Sequence, residues 1–320
     1  MSTTMSYTTL LQRIQKGLSV VELVHISHPR WPLPPHRTAS PTLHISVLDS
    51  SFNPPTLAHL ALANTLPPPS TDVPPASQPD DFDARLLLLS VRNADKQLKP
   101  GDATYEQRME MMVLLAHDLA RAHARDVPAA QAESRALDES APHEPNVAVA
   151  IIDEPTFVGK SAILRDFLTK RIAELLNPAQ VTAASPSVLP PSPKLTFLMG
   201  TDTIVRLFAP RYYASEDAMM AALRRFLSSD GDDSRILCAR RVSAAIPRTE
   251  EQKLEVEMSE CARKIVPYER LSFVDIGERE CTYSSSEVRQ LVASKDERWM
   301  SMVTRSIAAY ITANTLYCNP

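Results

Sequence analysis

Short apolar runs alternate with amphipathic stretches along most of this chain, and that alternation sets the expected elements. LHISVLD (43–49), ARLLLLSV (84–91), VAVAIID (147–153), KLTFLMG (194–200), SRILCAR (234–240) and LSFVDIG (271–277) are brief and nearly continuous in apolar residues. Strands buried on both faces read this way. Between them, apolar side chains recur at three- and four-residue intervals. This predicts helices over 57–64, 104–125, 160–176, 202–208, 215–228, 284–292 and 298–316. In the first 25 residues Leu10, Leu11, Ile14, Leu18, Val21 and Val24 also fall at helical spacing. That spacing predicts one short amphipathic helix over 7–25, outside the core.

Strands alternating with helices predict an α/β fold, a doubly wound Rossmann-like parallel sheet of about six strands with flanking helices. No segment carries the full alternation alone. A single domain is therefore expected over 41–320, preceded by an N-terminal extension of residues 1–40. Pro-rich, polar stretches interrupt the pattern near 31–41, 66–83, 126–146 and 183–194. They hold too little apolar surface to offset chain entropy and read as loops or disordered insertions.

Composition removes several classes. The formal net charge is −4, which argues against a broad basic face for nucleic acid. No apolar run approaches the ~18 residues of a membrane span, and the first residues lack the pattern of a secretory signal. A cytoplasmic or nuclear protein is expected. The four cysteines show neither CxxC nor mixed Cys/His ligand spacing, so a structural zinc site and a disulfide scaffold are not expected. Glycine numbers 6 in 320 residues, and neither GxGxxG nor GxxxxGK[ST] occurs. The glycine-rich phosphate loops are thereby excluded.

In open parallel sheets ligands bind beyond the carboxyl ends of strands. The loop after the first strand reads Ser50-Ser51-Phe52-Asn53-Pro54-Pro55-Thr56, with His59 one turn into the following helix. Backbone N–H groups of the turn and helix start can hold phosphate, and His59 can add a positive donor. A Pro-rich turn with a partly buried histidine satisfies the same spacing. The loop after the fourth strand carries Gly200 and Asp202. It suits close backbone approach plus a carboxylate for ribose hydroxyls, or simply a helix N-cap. Near the C-terminus Ser284, Ser285 and Ser286 open a helix that carries Arg289. They supply hydroxyls and a guanidinium for phosphate oxygens, or else a capping box with a solvated arginine.

Taken together and in order, SSFNPPTLAHL, MGTDT and YSSSEVRQLV resemble the nicotinamide mononucleotide adenylyltransferase family of the nucleotidyltransferase superfamily. That family's motifs are close to GSFNPxTxxH, GxD and ISSTxxR. Asn93 to Lys99, Tyr105-Glu106-Gln107-Arg108-Met109 and the tail Ile311 to Tyr317 are also similar to family segments. The resemblance runs over roughly 43–318 and is greatest to divergent fungal members. It implies a nucleotidyltransferase-type fold and transfer of the adenylyl group of ATP to nicotinamide or nicotinate mononucleotide. The products would be NAD, or its nicotinate counterpart, and pyrophosphate. A divalent cation such as Mg²⁺ would be carried with the triphosphate, with no metal ligands on the protein.

Carried over by motif, Thr56 and His59 are the catalytic signature. Ser51, Phe52, Gly200, Asp202, Ser284, Ser285, Ser286 and Arg289 join His59 around ATP. Asn53, Lys96, Lys99, Phe157 and Tyr213 would meet the mononucleotide, with Tyr213 favoured to stack on the pyridinium. The chain departs from the pattern at Ser50, where the family has glycine, and at Ser286, where it has threonine. Two other readings stay open: adenylyl or cytidylyl transfer to a different phosphate ester, and a nucleotide-binding regulatory protein with weakened catalysis.

Overall fold

The computed structural model describes residues 5–34, 40–68, 81–92, 100–126, 146–176, 190–240 and 248–318. Lys96 and Lys99 lie outside them. Seven strands form one sheet: β1 (Val21–Ile26), β2 (Thr42–Asp49), β3 (Ala84–Ser90), β4 (Val147–Ile152), β5 (Ser192–Gly200), β6 (Arg235–Ala239) and β7 (Leu271–Val274). Their order is β1-β4-β3-β2-β5-β6-β7, with β1 antiparallel and every other pairing parallel. After β1 at one edge, the chain crosses to the centre on β2, winds outward through β3 and β4, then returns to β5 and winds the other way. This is the doubly wound plan, and its switch point lies between β2 and β5.

Nine helices are described: α1 (Tyr7–Gln15), α2 (Leu57–Ala63), α3 (Tyr105–Asp126), α4 (Phe157–Leu175), α5 (Thr201–Leu207), α6 (Glu216–Leu227), α7 (Arg248–Ile265), α8 (Ser285–Ala293) and α9 (Arg305–Ala313). Successive strand residues point to opposite faces. Ile45, Val47, Leu86, Leu88, Leu195 and Phe197 pack with α4, α5, α6 and α7 in one layer. Leu48, Leu87, Leu89, Leu198 and Leu237 pack with α1, α2, α3, α8 and α9 in the other. Both faces are covered, which is why the central strands read as unbroken apolar runs.

Three expectations need correction. The helix expected over 7–25 stops at Gln15, and Val21–Ile26 becomes β1, a seventh strand on the edge beside β4. Gly17 makes the break at φ +67, with its own N–H on Ile14 O at 2.9 Å and Leu18 N–H on Arg13 O at 2.9 Å. This is the paired bonding of a glycine-terminated helix. Nor is the helix outside the core, because Leu10 and Ile14 belong to it. The Pro-rich stretch from residue 31 begins inside the fold: Trp31 and Leu33 are fully buried, and Asn146 Nδ2 donates to Pro32 O at 2.9 Å. Finally, α7 was not anticipated. Its sequence is mostly charged and polar, and only Met258, Ala262 and Ile265 give it a narrow buried stripe.

Candidate active site

The loop after β2 sits at the switch point. Leu48 pairs with Leu198 in register, so the loops leaving β2 and β5 emerge side by side. Phe52 is fully buried at φ +45, an uncommon conformation for a residue with a Cβ. The buried ring fixes it there, and the backbone of 50–56 turns sharply into α2. Thr56, also fully buried, is the N-cap of that helix.

His59 is held at both ring nitrogens. The Thr56 backbone N–H lies 3.0 Å from His59 Nδ1 and the Thr56 hydroxyl 2.9 Å from the same atom. A backbone N–H can only donate, so Nδ1 accepts and the ring proton sits on Nε2. Nε2 in turn lies 2.9 Å from Ser50 Oγ, which accepts. In this tautomer the imidazole is an N–H donor, its Nε2–H directed at Ser50. The Phe52 ring lies 5.4 Å from it, centre to centre.

α8 closes on the same loop. Arg289 Nη1 donates to Asn53 O at 2.5 Å, and Nη2 to Ser286 Oγ at 3.3 Å. Ser285 Oγ donates to Pro54 O at 2.7 Å. Ser284 is the N-cap, accepting from Glu287 N–H at 3.1 Å. The capping role is thus real for Ser284, while Arg289 turns inward and is not a solvated arginine.

Asn53 ties the site to remote chain. Its Nδ2 donates to Asp102 Oδ1 at 2.7 Å, and its Oδ1 accepts from Ala103 N–H at 3.2 Å and from Tyr317 Oη–H at 2.9 Å. The amide expected to meet substrate is bonded within the protein. Asp102 also faces Arg108 Nη2 at 3.6 Å and Arg289 Nε at 3.8 Å. One carboxylate thus lies between two guanidinium groups. Arg108 further donates to Ala103 O at 3.0 Å. Burial pushes the Tyr317 phenol well above its ordinary range, so it stays a neutral donor. Beneath the loop, Lys160 of α4 and Asp49 at the end of β2 form a buried ion pair at 2.5 Å.

The structure therefore brings the 51–59 loop and the start of α8 together: Arg289 and Ser285 bond the carbonyls of Asn53 and Pro54, Ser286 bonds Arg289, Thr56 bonds His59, Phe52 meets the His59 ring, and Ser284 caps α8. Gly200 and Asp202 stand on the adjoining strand end: Gly200 is the N-cap of α5 and Asp202 is exposed in its first turn. Phe157 and Tyr213 are in the other layer. Phe157 meets Phe197 edge-on at 5.9 Å with Lys160 Nζ 5.1 Å over its ring. Tyr213 donates to Leu207 O at 2.8 Å, and burial pushes its phenol up to about 12. Asp102, Arg108, Tyr317, Asp49 and Lys160 join the site without a motif of their own to mark them. Arg108 and Tyr317 stood inside segments already noted for resemblance, whereas nothing local marks Asp102.

A cavity of about 840 Å³ opens beside this cluster, between the C-terminal end of α2 and strands β6 and β7. Asn64, Leu237, Arg240, Phe273, Val274 and Ile276 line it, and His59, Asp202 and Arg289 do not. Arg240 there is bound to Glu255 at 2.8 Å and Asp275 at 3.1 Å. No three His, Cys, Asp or Glu side chains gather as a metal cage among the described residues. No helix among them is long and apolar enough to cross a membrane.

Fold and cluster together define a doubly wound α/β protein with its candidate site at the switch point. A Schizosaccharomyces pombe protein named "Putative nicotinamide mononucleotide adenylyltransferase" is 30% identical over 212 residues, 66% of this chain and 59% of that protein. The chain thus spans well under two thirds of that relative's length. Over that stretch the chain is similar to this relative, in agreement with the resemblance of its motifs. Two Plasmodium falciparum nicotinic acid mononucleotide adenylyltransferase structures, complexed with NaAD and with APC, align over 87% of this chain and 98% of theirs. Their TM-scores are both 0.44, at 13% and 12% identity, a loose likeness. No family model matches the chain.

Proposed function

We propose that this protein transfers the adenylyl group of ATP to a pyridine mononucleotide. A phosphate oxygen of the mononucleotide attacks the α-phosphorus of ATP, the bond from that phosphorus to the bridging oxygen breaks, and pyrophosphate leaves. The substrate supplies the nucleophile, so the protein needs none of its own. Its task is positioning and charge stabilisation. The observation that carries this reading is that the His59 N–H, at the start of α2, and the Arg289 guanidinium, from α8, are both held against the same β2–α2 loop.

In this reading the His59 Nε2–H donates to the α-phosphate as negative charge develops, without a proton changing hands. Thr56 keeps the ring in that tautomer. Backbone N–H groups of Ser51 and Phe52 face phosphate oxygens, while Ser284, Ser285, Ser286 and Arg289 hold the β- and γ-phosphates. Asp202 bonds the ribose. Lys96 and Lys99 are proposed near the incoming phosphate, and Phe157 and Tyr213 near the pyridine. A divalent cation bound to the triphosphate would neutralise part of its charge.

The test is direct. Purified protein is incubated with ATP, Mg²⁺ and either nicotinamide or nicotinate mononucleotide, and dinucleotide is measured by chromatography. Dinucleotide formation that drops in His59→Ala supports the reading. Equal traces from wild type and His59→Ala overturn it, and a parallel panel of other phosphate esters tests transfer to a different acceptor.

A further inference from the structure

We propose that Ser50 is a positioning residue that regulates phosphate entry, its hydroxyl occupying the His59 N–H in the free protein and yielding it to an incoming phosphate oxygen. The inference rests on the adenylyl-transfer reading for the identity of the ligand, but its geometry stands apart from that reading.

The two partners of the Ser50–His59 contact are unequally fixed. His59 is clamped at Nδ1 by the Thr56 backbone N–H at 3.0 Å and the Thr56 hydroxyl at 2.9 Å, and Thr56 is fully buried. The two donors share the single Nδ1 lone pair, and turning the ring would lose both. Ser50 is only part-buried, and its hydroxyl turns about a single torsion while its backbone N–H stays on Leu88 O at 3.2 Å. When an anion competes for Nε2–H, the serine side chain is the partner that moves. Nε2 carries one hydrogen, which lies on Ser50 Oγ at 2.9 Å, so a phosphate oxygen can take it only by displacing that oxygen. Ser50 thus stands in for the phosphate, keeping a donor satisfied while the site is empty. Binding exchanges one hydrogen bond for another, and the affinity is lower than an unoccupied donor would give.

Removing the hydroxyl should therefore tighten binding. A neutral hydrogen bond contributes about 0.5–1.5 kcal/mol net, so Ser50→Ala and Ser50→Gly are expected to lower the Kd for ATP and for inorganic tripolyphosphate by about 2- to 12-fold. Calorimetry reads the affinity. Proton–nitrogen spectra of ¹⁵N-histidine-labelled protein read the His59 Nε2–H itself. In wild type that resonance should shift on adding tripolyphosphate. In either variant, free of ligand, it should already have lost its serine-bonded position while the tautomer is unchanged. Two variants guard against a folding defect in one, and unfolding midpoints check both. Tighter binding with the shifted resonance supports the proposal. Weaker binding in both variants means that Ser50 itself holds the phosphate and overturns it, as does an unchanged Kd. If wild type binds neither ATP nor tripolyphosphate, the proposal and the adenylyl-transfer reading both fall. If wild type binds and only the serine effect is missing, this proposal alone falls.

Discussion

The two loops that meet at the switch point are built differently. The loop after β2 is buried and held from four directions: by Arg289 and Ser285 of α8, by Asp102 before α3, by Tyr317 of the C-terminal tail and by its own capped helix. The loop after β5 has Gly200 as an N-cap without a side-chain cap bond, and Asp202 exposed beyond it. A rigid loop with fixed donors suits a ligand part whose charge changes during reaction, because preorganised dipoles need not reorient. An open loop with one carboxylate suits a part that is only held. Under the proposed function, the difference suits the phosphate chain at the first loop and the nucleoside at the second.

Substitutions can break this contrast. The largest effect is expected under the first loop, at the Lys160–Asp49 ion pair. Lys160→Met leaves a buried carboxylate unpaired and should cost about 3–5 kcal/mol, read as a fall in the denaturant midpoint. An unchanged midpoint would show that the loop is not anchored from α4. His59→Ala should lower dinucleotide formation by about 10²- to 10³-fold, the usual effect of removing one preorganised donor, with ATP still bound. Arg289→Ala removes charge-assisted bonds of about 1.5–3 kcal/mol and should weaken ATP by about 10- to 100-fold in calorimetry. Tyr317→Phe leaves Asn53 Oδ1 with one donor fewer and should cost about 1 kcal/mol of stability. Asp202→Ala is the smallest in stability, within about ±0.5 kcal/mol, yet should raise the KM for ATP. A stability loss at Asp202 as large as at Tyr317 would erase the contrast between the loops.

The sequence shows most of the sheet and half of the site. The strands from β2 to β7 announce themselves because helices cover both faces, leaving no polar alternation to obscure them. β1 hides because Val21 and Val24 continue the helical spacing of Leu10, Leu11 and Ile14 by coincidence, and Gly17 was the one local sign of a break. α7 hides because three buried side chains in eighteen residues leave little apolar pattern. The candidate site is legible where its donors stand on two short contiguous stretches, 50–59 and 284–289. Asp102 is not, since its meaning comes from Asn53, Arg108 and Arg289 converging from three parts of the chain. Tyr213 and Phe157 fit a resemblance but lie across the sheet from α2 and α8, where spacing alone could not place them.

The central claim is that the β2–α2 loop and α8 grip a nucleotide's phosphates between them. A crystal structure of the protein with Mg²⁺ and a non-hydrolysable ATP analogue tests it most directly. Phosphate oxygens should lie about 2.7–3.2 Å from His59 Nε2 and from the Arg289 guanidinium, with Ser50 Oγ turned away. Phosphates bound elsewhere, with the Ser50–His59 bond intact, would contradict it.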